Sequence, residues 1–98
     1  MIYKSALLAA AAVAIVALLT SKNVAQHRTM ALNGLAYEII RYSNDTVEVV
    51  RQDGLRFTVN MKTGAVALNV GTQGQFQDAL ARLKAAGLPE LNAADGSA

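Results

Sequence analysis

The chain has 98 residues, a formal net charge of +2 and no cysteine. One compact domain is the most that such a length can build, and the missing thiols exclude disulfides and thiolate metal sites. From Asn23 onward the basic residues (Arg28, Arg41, Arg51, Arg56, Lys62, Arg82, Lys84) are balanced by Glu38, Asp45, Glu48, Asp53, Asp78, Glu90 and Asp95. A nucleic-acid binder would carry a basic stripe instead.

The excess charge sits on Lys4 and Lys22, which bracket an uncharged run whose centre, residues 6–19, holds only Ala, Leu, Val and Ile. As a helix, Ser5 to Ser21 would reach roughly 25 Å. A hydrocarbon core of about 30 Å is then matched once the flanking lysines snorkel. Residues 1–22 are therefore expected to be a membrane anchor, an uncleaved signal-anchor in preference to a cleaved signal peptide, because small residues are badly placed for a cut near Ala25. The body is expected on the extracytoplasmic, periplasmic side of a single-pass protein.

Nothing breaks a helix between the anchor and Asn33-Gly34, so residues 23–34 are expected to continue as a helical stalk or linker that stops there. His27, the single histidine, reads as a solvated or headgroup-proximal side chain on that stalk. From residue 35 the apolar period changes to two. Strands are predicted over 36–42, 47–51, 55–61 and 65–70, with turns at Asn44-Asp45, Gln52-Asp53-Gly54 and Thr63-Gly64. Two-residue turns at the first and third sites would set Arg41 opposite Glu48, Glu38 opposite Arg51, and Val59 opposite Leu68. Ile40, Tyr42, Val47, Val49, Phe57, Val59, Val66 and Leu68 would then share one face.

Thr72 followed by Gln75 forms a capping-box signal. Phe76, Ala79, Leu80 and Leu83 recur at helical spacing, and Gly87 and Pro89 end the helix. The expected architecture is α+β: an N-terminal transmembrane and stalk helix, then a four-stranded antiparallel meander over 35–88, covered on one face by the C-terminal helix. Residues 89–98 are expected to be a flexible tail.

The hairpin Leu55-Arg56-Phe57-Thr58-Val59-Asn60-Met61-Lys62-Thr63-Gly64-Ala65-Val66 resembles the last hairpin of PepSY-type domains. Those are small exported α+β modules linked to peptidase regulation, and no function is carried over from a likeness of this extent.

Chemistry is hard to place on this chain. A nucleophile–base pair lacks a second histidine or any cysteine, and Gly71-Thr72-Gln73-Gly74 lacks the lysine of a phosphate loop. No catalytic residue, cofactor, metal ion or small-molecule substrate is expected. The uncovered sheet face would show Tyr37, Ile39, Val50, Ala65 and Ala67, a strip expected to be a protein interface. The function expected is a non-enzymatic, membrane-anchored structural or interaction subunit. Its partners would be the lipid bilayer and either a protein or a second copy, within a membrane complex or a membrane-containing phage particle. The alternative is a released secreted or periplasmic binding or inhibitor module.

Overall fold

The computed structural model describes residues 24–94. The anchor run 1–22 lies outside the described residues, as do positions 95–98. Five strands form one antiparallel meander in the order β1 (Val24–Leu32), β2 (Leu35–Tyr42), β3 (Thr46–Arg51), β4 (Arg56–Asn60) and β5 (Val66–Val70). Helix α1 (Gln73–Ala85) and a 3-10 turn at Pro89–Leu91 follow. The class is α+β, with one strand more than expected.

The extra strand corrects the stalk. Residues 24–32 pair with β2 along their length, Leu32 opposite Leu35 and Met30 opposite Tyr37. Between them Asn33 (φ 51°) and Gly34 (φ 82°) are both left-handed. That is the type I′ turn, whose twist matches two paired strands and which favours Asn-Gly because both central residues need positive φ. The dipeptide is the hinge of a hairpin here, not a helix stop.

The first predicted turn is also corrected. Ile39 faces Val49 and Ile40 faces Glu48, one residue away from the expected register. Of Asn44 and Asp45, only Asp45 (φ 66°) is left-handed, so the loop is Ser43-Asn44-Asp45, with Asn44 Oδ1 accepting the Thr46 N–H at 3.3 Å. An odd slip exchanges the two faces of a strand. Tyr37 and Ile39 therefore enter the core at 0% and 1% exposure, while Ile40 and Tyr42 turn to the opposite face. The charge pairs Arg41–Glu48 and Glu38–Arg51 do not form.

The second loop agrees with its reading: Val49 faces Phe57, Val47 faces Val59, and Gly54 closes the loop with its N–H on the Arg51 carbonyl. The third loop is longer than predicted, with Val59 opposite Val66 and Phe57 opposite Leu68. Asn60 Oδ1 accepts the N–H groups of Lys62 and Thr63 at 2.9 and 3.0 Å, which holds the chain from Met61 to Gly64 as the connection. This slip is even, so Val66 and Leu68 keep the predicted face.

Helix α1 lies over that face. Its capping box is complete: Thr72 Oγ1 accepts the Gln75 N–H, and Gln75 Oε1 accepts the Thr72 N–H. Phe76, Ala79, Leu80 and Leu83 are its buried residues, and Phe76 meets Phe57 edge-on with ring centroids 4.9 Å apart. The expected flexible tail is corrected over 89–94. Leu88, Leu91 and Ala94 join the core, because one turn of 3-10 helix carries them back over the sheet.

Candidate functional site

Three groups of side chains were missed in the sequence. On the face away from α1, Glu38 is 1% exposed. Its Oε2 lies 2.5 Å from His27 Nε2 and accepts the Thr29 hydroxyl at 3.0 Å. His27 is thus a strand residue reaching across to β2 and not part of a helical stalk, although it is still exposed, as expected. Beside it, the Tyr42 hydroxyl donates to Glu48 Oε1 at 2.7 Å, and Arg56 Nε stands 3.7 Å from the other oxygen of that carboxylate. Burial, then the Glu48 hydrogen bond, push the Tyr42 phenol far above its ordinary value. Tyr42 therefore stays protonated and donates across the whole physiological range. These residues surround the small apolar cluster of Ile40, Tyr42, Val24 and Val50.

The second group centres on Arg51, whose side chain is buried. Nη1 donates to Asp78 Oδ2 at 2.7 Å and to the Tyr37 hydroxyl at 3.3 Å. Nε and Nη2 donate to the two oxygens of Asp53 at 3.0 and 2.8 Å. Such a two-pronged grip is the strong form of an arginine–carboxylate bond; it fixes Arg51 to the β3–β4 loop, while the Nη1 bond to Asp78 ties strand β3 to helix α1. The Arg51 hydrogen bond holds the Asp53 carboxyl below its usual range, and Asp78 is lowered by Arg82 first and Arg51 second. A carboxyl lowered in the folded state contributes stability above its unfolded value of about 3.9 and loses it as pH falls through the folded one. Urea unfolding is therefore expected to show stability falling from about pH 4 downward. Asp53→Asn should lower the plateau above about pH 4 and make the acid limb shallower, the share carried by Asp78 remaining.

The third group closes the end of the α1-side face. Arg28 on β1 is ion-paired with Glu90 in the 3-10 turn. The contact runs from Arg28 Nη2 to Glu90 Oε2, and Arg28 Nε and Glu90 Oε1 are buried with no hydrogen-bond partner among the described residues. Gln26, Arg41, Met61 and Pro89 join them around an open cleft of about 380 Å³. Among the described residues, no three His, Cys, Asp or Glu side chains converge as metal ligands.

The predicted interface strip is divided by the corrected register. Tyr37 and Ile39 are core residues and leave it. Val50 lies on the opposite face, half-buried beside Ile40 and Tyr42. Ala65 and Ala67 are exposed at strand β5, with Ala67 opposite Thr58. The five residues therefore form no single patch. What does stand out is the edge itself. β5 has a neighbour on one side only, carries no charge and ends in Val70, 52% exposed. Edge strands are ordinarily protected by lysine, proline or a covering loop.

No protein-family model matches this chain, and neither the curated proteins nor the solved structures yielded a match. The hairpin's likeness to PepSY-type domains therefore gains nothing from comparison. No helix among the described residues is long and apolar enough to cross a membrane.

Proposed function

We propose that the chain is a non-enzymatic, membrane-anchored structural or interaction subunit of a larger membrane-associated assembly. The observation that carries this reading is the unprotected edge at β5, a strand with free backbone groups, no charge and half-exposed Val66 and Leu68 side chains. Such an edge offers main-chain hydrogen bonds to an added strand, with apolar side chains beside them. The apolar run at 6–19 supplies the membrane part of the reading. The side chains with perturbed ionisation are each committed to a structural partner: Arg51 to Asp53 and Asp78, Tyr42 to Glu48. This favours a binding role over a catalytic one.

Intact mass and membrane fractionation of the full chain, followed by crosslinking in native membranes, provide the test. The anchored subunit predicts an uncleaved chain in the membrane fraction that crosslinks into a larger species. Soluble recovery after loss of roughly 20–25 N-terminal residues, as a cleaved signal would leave, would instead establish the released binding or inhibitor module.

A further inference from the structure

We infer that a second copy of this chain occupies the β5 edge, pairing antiparallel about a two-fold axis at Ala67. The inference deepens the interaction-subunit reading and rests on it. The register follows from backbone direction. The Asn60 N–H donates to the Ala65 carbonyl at 2.9 Å, so the backbone groups of Ala65 face β4. Those groups alternate in direction along an antiparallel strand. Ala67, opposite Thr58, therefore also faces β4, while Val66 and Leu68 turn their N–H and C=O groups to the open edge.

After Leu68 the pairing with β4 shifts by one residue at Asn69. The bulge interrupts the alternation, leaving a short edge bounded by the loop at Gly64 and the bulge at Asn69. One antiparallel register uses all of it. Val66 and Leu68 of one copy exchange both backbone hydrogen bonds with Leu68 and Val66 of the other, and Ala67 meets Ala67 at the axis. That central pair is the close, non-hydrogen-bonded kind, which suits a methyl side chain. Val66 and Leu68 are only half-buried against the core. In this register each sits beside an apolar side chain of the other copy, extending the core-side face across the axis.

Charge selects this edge over the opposite one. Near a two-fold axis every residue lies close to its own counterpart, so a charged edge repels its copy. Strand β1 carries Arg28 and His27, whereas the chain from Ala65 to Gln77 has no ionisable side chain. A shared membrane tether would also raise the effective concentration of two copies, so a short edge can suffice.

The chain has no cysteine, so single substitutions report without background. Ala67→Cys in the full-length chain in native membranes, under mild oxidation, is expected to give a covalent dimer. Its Cα separation of about 4.5 Å at the axis falls within disulfide reach. Ala31→Cys on the β1 edge is expected to stay monomeric. Ala67→Lys sets like charges opposite each other and should abolish the native dimer while the circular dichroism spectrum is unchanged.

A dimer through Ala31→Cys, or one indifferent to Ala67→Lys, would overturn the assignment. If neither cysteine crosslinks but the chain is found joined to a different protein, self-pairing fails and the interaction-subunit reading stands. A monomer without any associated protein would overturn both.

Discussion

Phe57→Ala is expected to cost about 3–5 kcal/mol. Phe57 is fully buried, pairs across β3 with Val49 and across β5 with Leu68, and meets Phe76 of α1 edge-on. It joins three strands to the helix. Domains of this size hold roughly 4–10 kcal/mol in all, so the loss takes a third or more of the total. Urea unfolding followed by circular dichroism measures it. A loss under about 1 kcal/mol, the scale of an ordinary surface substitution, would mean that α1 does not pack on this face.

Gly64→Ala has the second largest expected effect, and for a different reason. A methyl group built there would lie 1.9 Å from the Ala93 carbonyl oxygen, and the residue sits at φ +79°. Adopting a left-handed conformation costs an alanine about 1–2 kcal/mol. Moving Ala93 away would also loosen Leu91 and Ala94, both buried in the core, and exposing a leucine costs about 1.5–3 kcal/mol. The steric part can be isolated. Gly34 is also left-handed (φ +82°) but has open space where its Cβ would stand, so Gly34→Ala should show the conformational cost alone. Gly64→Ala is expected to be at least about 1.5 kcal/mol worse, with new chymotryptic cleavage after Leu91. Equal effects in the two variants would contradict the seating of residues 89–94 on the sheet.

How far the amino-acid pattern reaches can be read from the three loops of the meander. Between β3 and β4 the signal was complete: a glycine at the left-handed position and matching apolar residues on either side. Between β4 and β5 the register was displaced by an even step, because Asn60 holds two N–H groups of a longer loop. Period-two patterning does not detect such a step, since the same side chains stay inside. Between β2 and β3 the step was odd. Residues 39 and 40 are both isoleucine, and Tyr37 mirrors Tyr42, so apolarity alone could not say which set faces the core. The apparent charge pairing of Glu38 with Arg51 then favoured the wrong one.

Residues 23–34 fit a helical stalk as well as a strand in sequence, because Asn-Gly serves both helix ends and hairpins. The alternation of Met30 and Leu32 with Leu35 and Tyr37 was the available clue. The capping box of α1 and its buried stripe were fully legible, being local. The polar clusters were not. Arg28 and Glu90 are separated by most of the domain, and His27 reaches Glu38 only once β1 is a strand. Of the predicted interface, Ala65 and Ala67 remain at an open edge because an even slip preserved their exposure, whereas the odd slip took Tyr37 and Ile39 inside.

The proposal that the chain works through its uncharged edge is tested most directly by residue-resolved amide exchange at β5 in the membrane-bound, full-length chain. The N–H of Ala67 points to β4 and is protected in any folded copy, so it serves as the internal reference. The account predicts that the N–H groups of Val66 and Leu68, turned outward, are protected as well, and that Ala67→Lys releases them while leaving position 67 slow. Rapid exchange at 66 and 68 in the native membrane-bound chain, alternating with slow exchange at 67, would contradict it.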